Sequence, residues 1–294
     1  MTELREVLLG AAFGMLVAGA GLATECHGAP LEVKVYNADG KSFHVNSVLL
    51  SGKNDALLID AQFTRADAHR LVADILASGK TLQMVYISHG DPDYYFGLEV
   101  IKQAFPDVKV FASAPTVAWI RNTVDRKVAF WGPKMGANAP RTPVIPEVLS
   151  GTAFELEGNR IEVVGLDGDL PQRTFVWVPA IRAVLGGANV FAGLHLWTAD
   201  TQSKAQRGAW SRTLERMLAL QPAIVVAGHA APGAAHEVAQ VTYSLEYLQA
   251  FEQALDHAAT SGDLITAMQQ RYPAALLGMA LEIGAKVNKG EMKW

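Results

Sequence analysis

The sequence is short of the residues on which several classes of site depend. Cys26 is the only cysteine among 294 residues, so no internal disulfide can form, and neither a cysteine-based zinc site nor a thiol nucleophile is supported. Charged residues make up only 18% of the chain, the net charge is −4, and no basic block or basic-aromatic stripe occurs. Nucleic acid is therefore not an expected partner. Half of the residues are apolar, which predicts a substantial folded core.

The first 29 residues differ in composition from the rest. Residues 7–23 form an uncharged stretch rich in alanine, glycine and leucine, and the small residues at 20–23 offer a signal-peptidase site. We interpret residues 1–29 as a secretory signal, which predicts a periplasmic or secreted protein. A membrane anchor is the alternative, because the 17 residues of this stretch are just long enough to span a bilayer. A buried N-terminal helix is the third interpretation. Membrane contact is expected only through an uncleaved leader.

Residues 30–294 are interpreted as a single domain. Short β-like runs and helical runs follow one another in the order strands, helix, strand, helix, and this order occurs twice. It predicts an α+β fold in which two mixed sheets pack face to face with helices outside, a four-layer αββα sandwich. Residues 124–148 are rich in proline and glycine and are predicted to be irregular, either a binding loop or a plain surface connection. Two amphipathic helices, at about 235–258 and 263–271, are predicted to close the chain.

One segment combines several side chains of the kind that bind metals. The apolar run 82–87 is followed by His89-Gly90-Asp91-Pro92-Asp93-Tyr94. Polar side chains at the exit of a buried strand are where α/β enzymes place catalytic or metal-binding groups. The same residues also suit a helix N-terminus, with Asp91 or Asp93 as the cap and Pro92 in the first turn. Both interpretations stay open on this segment alone.

The chain resembles the metallo-β-lactamase superfamily over roughly residues 31–257. Five segments agree with that superfamily in order and spacing: a strand ending in an aspartate, the metal-binding loop, a Gly-Asp in the place of Gly-His, a strand followed by a glycine pair, and a final Gly-His. These segments are residues 56–60, 88–97, 168–170, 184–189 and 225–229. The resemblance implies the αββα fold and a divalent metal cofactor, with Zn²⁺ the first choice and Mn²⁺ or Fe²⁺ as alternatives.

The metal ligands that the resemblance implies are only partly of the usual residue types. His89, Asp93 and His229 match the superfamily. Four other positions carry a different residue type and are Asp91, Tyr94, Asp169 and Asn189. Carboxylate oxygens remain competent ligands, whereas a phenol ligates well only once it is ionised. We therefore expect one metal at His89, Asp91 and Asp169, and a less certain second position at Asp93 and His229, with Tyr94 and Asn189 as weaker candidates.

The expected function is hydrolysis by a metal-activated water at a carboxylate-rich site. The resemblance implies that Asp93 orients this water or protonates the leaving group. The substrate is expected to be a small ester, lactone, amide, thioester or phosphoester, and the sequence does not choose among them. His195, Trp131 and Arg173 are candidate pocket residues. The alternatives are a metal-free binding or scaffold protein of the same fold, suggested by the four changed positions, and a diiron redox protein, suggested by Asp91.

Overall fold

The computed structural model describes residues 28–294. The apolar stretch of the predicted signal peptide or anchor, residues 7–23, lies outside the described residues. Within residues 28–294, no helix has both the length and the apolar character that crossing a membrane requires.

A six-stranded mixed sheet forms the first half of the fold. Its strands lie in chain order and are β1 (Glu32–Asn37), β2 (Asn46–Ser51), β3 (Asp55–Ile59), β4 (Thr81–Ile87), β5 (Lys109–Ala112) and β6 (Glu147–Val148). The first three strands pair antiparallel, whereas β3 to β6 pair in parallel. Parallel neighbours end at the same edge of a sheet, so the segments that follow β3, β4 and β5 lie side by side.

A second, mostly antiparallel sheet forms the other half. Its strands, in spatial order, are β12 (Ile224–Val225), β10 (Ala183–Leu185), β9 (Phe175–Val178), β8 (Asn159–Val164) and β7 (Ala153–Leu156). A short parallel pair, β11 (Phe191–Ala192) and β13 (His229–Ala230), lies apart from it. Two backbone hydrogen bonds join residues 228–230 to the start of β2 and the residues just before it: Asn46 N–H donates to Gly228 O at 2.8 Å, and Ala230 N–H donates to His44 O at 3.0 Å. They bring β13 to the first half of the molecule.

Eight helices enclose the two sheets within the described residues. They are α1 (Arg65–Ser78), α2 (Pro92–Tyr95), α3 (Leu98–Ala104), α4 (Ala114–Met135), α5 (Lys204–Ala219), α6 (Ala239–His257), α7 (Ser261–Arg271) and α8 (Gly278–Asn288). α1 shows why such segments form helices. The Thr64 hydroxyl accepts from the Asp67 N–H at the start, Leu71 and Ile75 are buried on one face, and Gly79 ends the helix in the left-handed conformation at φ 66°.

The apolar residues form three layers, which confirms the predicted αββα sandwich. Alternate residues of β3 face opposite ways, because side chains alternate along a strand. Leu57 and Ile59 belong to a core between the sheets with Ile161 and Val176. Leu58 belongs to a second core under α1, α3 and α4. A third core packs β9 and β10 against α5 to α8.

Two sequence-based assignments were wrong. Residues 124–135, predicted to be irregular, continue α4 to Met135, with Pro133 in its last turn. Proline interferes with the carbonyl four residues earlier, and so near the helix end it disturbs only the final turn. The additional helix α8 near the C-terminus was missed. Its partly apolar sequence lies on the third core through Leu281 and Ala285.

Candidate active site

Asp60 and Ser88 fix the start of the loop that follows β4. Asp60 ends β3 with a left-handed backbone at φ 63°, and its carboxylate accepts from the Ser88 N–H at 2.8 Å and the Ser88 hydroxyl at 2.6 Å. The Ser88 hydroxyl in turn accepts from the Gly187 N–H at 2.7 Å. Burial raises the pKa of Asp60 to about 7, although the Ser88 hydrogen bonds oppose that rise. The first half of the site is thus tied to the second through one buried carboxylate.

Asp91 stands at the N-terminus of α2 without capping it. Its backbone is extended, Pro92 follows, and its side chain makes no hydrogen bond to the helix N–H groups. Its carboxylate instead pairs with the Lys127 ammonium of α4 and lies 3.6 Å from His89 Nδ1. Burial opposes ionisation of Asp91, but the positive charge of Lys127 holds its pKa below the usual range. The Asp91 side chain therefore does not cap α2 and instead forms an ion pair with Lys127.

The two histidines at the site are buried and neutral. The Asp91 N–H donates to His89 Nδ1 at 3.3 Å, and burial lowers the pKa of His89 to about 3. His229 on β13 has Nδ1 2.9 Å from the Phe43 carbonyl oxygen, so Nδ1 carries the proton and donates it. Its Nε2 is then left with a lone pair, and burial lowers the pKa of His229 to about 4. A neutral imidazole with a free nitrogen is the form that binds a metal or accepts a proton.

Asp93 faces His229 in the first turn of α2. Asp93 Oδ2 lies 3.4 Å from His229 Nε2, and both side chains are less than a tenth exposed. Burial and the neighbouring Asp91 charge raise the pKa of Asp93 well above its ordinary value. The ionised form of Asp93 is thus disfavoured unless a positive charge, such as a bound metal ion, lies beside it.

α4 reaches the site through direct contact with the β4 loop. A Cβ added to Gly90 would lie 2.5 Å from Cδ1 of Trp119, so only glycine allows the helix this close. Lys127, about two turns further along α4, carries its Nζ to Asp91 and lies 6.0 Å from the Trp119 ring centre. Lys127 was not identified from the sequence, because it lies in the segment interpreted as irregular.

Arg173 places a second cation behind the cleft. It is buried, its Nη2 donates to the Ala188 carbonyl, and its guanidinium lies 4.1 Å from the centre of the Trp210 ring. Its charge helps to keep His89 and His229 neutral, although burial is the larger cause. Arg173 does not line the cleft, so it acts on the site through its charge rather than as a pocket wall.

Tyr94 and Asn189 are at the site, but their surroundings do not favour them as ligands. The Tyr94 ring lies edge-on to both His89 and His229, with centres 5.2 Å and 5.6 Å away. Burial, reinforced by the charge of Asp93, raises its pKa well above 10, so it stays a phenol. Asn189 is buried and its Nδ2 donates to the carbonyl oxygens of Arg173 and Thr174, at 3.2 Å and 3.4 Å. Asn189 thus braces the backbone before β9.

Two of the remaining candidate residues lie elsewhere. Asp169 was expected to join His89 and Asp91 as a ligand, but its side chain is 71% exposed and pairs with Arg212 on α5. The reason is local: the next residue, Leu170, is buried in the third core, and Asp169 remains on the solvent side of the loop. His195 is buried away from the cleft, with Nδ1 2.8 Å from the Tyr247 hydroxyl.

An apolar cleft opens above Asp91, Asp93 and His229. The space in the cleft that a water molecule could occupy is about 70 Å³. Trp131, which was predicted to be a pocket residue, lies in the wall of the cleft. The other aromatic residues of the wall are Phe43, Phe191, Trp197 and Trp294. Asp200, also missed from the sequence, joins two of them, because its carboxylate accepts from the indole N–H of Trp197 at 2.7 Å and of Trp294 at 2.9 Å.

The donor groups fit one metal position better than two. Across residues 28–294, no three His, Cys, Asp or Glu side chains converge as metal ligands. Asp93 and His229 form a pair that faces the cleft, where water or a substrate oxygen can complete a coordination shell. Asp91 already has Lys127 as its counter-ion, and Asp169 is absent from the site. Asp93 and His229 are thus two donors that face the cleft, one fewer than the three protein ligands of a typical catalytic zinc site, and residues 28–294 form no complete metal site by themselves.

Comparison with known proteins agrees with the architecture. Residues 40–229 match the sequence profile of the metallo-beta-lactamase superfamily. A metallo-beta-lactamase family protein from Thermus thermophilus is 19% identical, with a TM-score of 0.61 over 85% of this chain and 91% of its own. A metallo-beta-lactamase from Pontibacter korlensis is 18% identical, with a TM-score of 0.53 over 74% of this chain and 99% of its own. Among curated proteins, none matches significantly. At these sequence identities, the similarity to the solved structures supports the fold and nothing further.

Proposed function

Since this chain belongs to the metallo-β-lactamase superfamily, we propose that it is a metal-dependent hydrolase that acts on a small molecule in the cleft above Asp93 and His229. The observation that carries the proposal is the Asp93–His229 pair, 3.4 Å apart and buried at the floor of that cleft. Asp93 and His229 would hold the metal, with Zn²⁺ the first choice and Mn²⁺ or Fe²⁺ as alternatives. A bound divalent ion would supply Lewis acidity, lowering the pKa of a water ligand and polarising the scissile carbonyl or phosphoryl group.

The protein's own residues supply orientation. The Phe43 carbonyl holds the proton of His229 Nδ1 and so keeps Nε2 directed at Asp93. Asp93 would be ionised while it holds the ion, and its second oxygen could then accept a hydrogen bond from a water ligand and orient that water for attack. The aromatic walls of the cleft would exclude bulk water, and the lower polarity strengthens each charge interaction inside. Esters, lactones, amides, thioesters and phosphoesters all satisfy these requirements.

The test is hydrolysis by the protein carrying Asp93→Asn, with metal removed and restored. Chromogenic members of the five substrate classes are assayed after chelation and after addition of Zn²⁺, Mn²⁺ or Fe²⁺. The wild type should hydrolyse at least one class in a metal-dependent way, and Asp93→Asn should lower kcat/KM about 100-fold, because it removes a charged metal ligand and the group that orients the water. Asp167→Asn is the matched control, since Asp167 is exposed and pairs with Arg216 on the surface. Equal activity with and without metal would reject metal dependence, and unchanged activity of Asp93→Asn would reject this site.

A metal-free binding protein is the second candidate. Lys127 and Arg173 place two fixed positive charges at or behind the cleft, where the superfamily resemblance implies metal ions. A protein of this kind would bind a small molecule in the aromatic cleft and leave it intact. Calorimetry with Zn²⁺ separates the two candidates, because only the hydrolase requires metal binding that is lost in Asp93→Asn.

The location of the protein is a further part of the proposal. The apolar, uncharged stretch at residues 7–23 supports export to the periplasm or medium. Fractionation of cells that express the full chain, with N-terminal sequencing of the product, tests this. A product in the soluble periplasmic fraction that begins near residue 24 or later is expected, and an uncleaved chain in the membrane fraction would favour the anchor.

A further inference from the structure

We propose that the Lys127 ammonium takes the place of a metal ion at Asp91, and so limits the site to one metal position. The inference deepens the proposed function, because it concerns how many ions the same site accepts. It is nevertheless tested by counting bound ions, which does not depend on finding a substrate.

The first support is the pairing of Asp91. Its carboxylate makes no capping bond to α2 and has the Lys127 ammonium as its ionic partner. Both side chains are 16% exposed, so water screens the pair poorly. A carboxylate that a fixed ammonium already neutralises offers less to an incoming divalent ion, because the ion must displace that ammonium or lie beside it against charge repulsion.

The second support is that the fold holds Lys127 in place. Trp119 of α4 packs on Gly90, where a side chain of any size would collide with the indole. Lys127 follows on the same helix, and Trp131, one turn further, lies in the wall of the cleft beside it. The ammonium therefore reaches Asp91 from a helix that is anchored on the same loop, and not from a mobile surface segment.

The third support is what would remain without the ammonium. Asp91 and Asp93 are neighbouring, largely buried carboxyl groups. His89 Nδ1 lies 3.6 Å from Asp91 Oδ2, and His229 Nε2 lies 3.4 Å from Asp93 Oδ2. With Lys127 neutralised, the β4 loop and β13 together would present two carboxylates and two imidazoles. Such a set of donors is typical of divalent metal sites.

The experiment compares wild type with Lys127→Met, which keeps the length of the side chain and removes its charge. Metal-free protein is titrated with Zn²⁺ by calorimetry, bound zinc is counted by elemental analysis after gel filtration, and Co²⁺ titration gives a visible spectrum as a second readout. Lys127→Met should bind one more zinc ion than wild type, or bind zinc at least about tenfold more tightly, as expected for removal of a close like charge. Lys127→Arg, which keeps the charge, is the control and should behave as wild type.

The double variant Lys127→Met with Asp91→Asn ties the gain to Asp91, since it should lose the extra ion. Lys127→Gln replaces Lys127→Met if the latter does not fold by circular dichroism. A folded Lys127 variant with the zinc stoichiometry and affinity of wild type would overturn the inference. So would wild type that binds two ions, although that result would leave the proposed function standing. Wild type without zinc, beside a Lys127→Met variant that binds one ion, would support the inference and remove the metal dependence from the proposed function.

Discussion

The two halves of the site differ in the kinds of side chain that they contribute. The half contributed by the six-stranded sheet holds His89, Asp91 and Asp93 together on one buried loop. The half contributed by the second sheet has Arg173 buried beside the site, while Asp169 lies in solvent. The first half therefore groups three side chains of the types that bind metals, with Lys127 paired to one of them, whereas the second half contributes His229 and the buried charge of Arg173.

The fold of the superfamily is therefore present in a chain whose residues at the metal centre differ in type. The backbone ties that bring the halves together are present, including the Asp60–Ser88–Gly187 chain of hydrogen bonds and the link from Asn46 to Gly228. These ties do not depend on a metal. A chain can thus keep the architecture while changing which groups carry the positive charge at its centre, and function must be argued from the site.

The largest expected effect comes from breaking the tie between the halves. Asp60→Ala removes the acceptor of two hydrogen bonds from Ser88 and leaves buried donors unsatisfied. We expect a loss of about 3 kcal/mol in the free energy of unfolding, measured by urea denaturation. Asp60→Asn, which keeps one acceptor, should lose about 1 kcal/mol. A loss below about 0.5 kcal/mol for Asp60→Ala would mean that the halves hold together without this tie.

A smaller effect on stability is expected at acid pH. It concerns His229, the histidine that β13 brings to the first half of the site. His229 is buried and its pKa is about 4 in the folded protein, against about 6.5 in an unfolded chain. Below pH 6.5 His229 binds a proton in the unfolded chain, whereas in the folded protein it stays neutral until the pH approaches 4. This contribution to stability is therefore complete above pH 6.5 and is lost as the pH falls toward 4.

His229→Gln should remove that contribution. Between pH 7 and pH 4.5 the variant should lose about 2 kcal/mol less stability than wild type, measured by urea denaturation at a series of pH values. His69→Gln, which replaces an exposed histidine on α1, is the reference for exchanging an imidazole on the surface. If wild type and His229→Gln lose stability in parallel across this range, then His229 is not held neutral by burial.

The fold was predictable from the sequence because it depends on repeated, local signals. The apolar run of β4 and the helical spacing of α1 come from periodicity, and the ordered segments that resemble the superfamily fixed their arrangement. The assignment of residues 124–135 was wrong because they were grouped with the proline- and glycine-rich residues 136–148 that follow, although Gly132 and Pro133 are the only residues of those two types within 124–135. In the structure both residues lie in the last turn of α4, where they disturb the helix least.

The residues that lie together at the cleft were predictable on the β4 loop and at His229, which the final Gly-His segment marked. His89, Asp91 and Asp93 are near one another in the sequence, so their proximity in space follows from local structure. Lys127 lies 36 residues after Asp91 and reaches it because α4 packs on Gly90, which is a tertiary contact with no local signal. Asp169 matches the superfamily by position, but the packing of Leu170 leaves its side chain in solvent in this structure, and the sequence carries no local signal of that orientation.

The smallest expected effect concerns Asp169, the residue of the second half whose side chain lies in solvent. Asp169 is 71% exposed, and its pair with Arg212 is a surface ion pair. Asp169→Ala should change the free energy of unfolding by less than about 0.5 kcal/mol, and the zinc affinity should stay within about twofold of wild type because no ligand is lost. Asp93→Ala is the matched comparison. It removes one of two ligands and should weaken zinc binding by at least about tenfold.

Both variants are titrated with Zn²⁺ by calorimetry and unfolded in urea under the same conditions. If Asp169→Ala weakened zinc binding as strongly as Asp93→Ala, the loop before β9 would have to turn inward when metal binds, exchanging Arg212 for the ion. The second half of the site would then contribute Asp169 as well as His229 to the metal. If only Asp93→Ala weakens binding, the metal belongs to Asp93 and His229, and the positive charge supplied beside them by Lys127 and Arg173 is a permanent property of the folded chain.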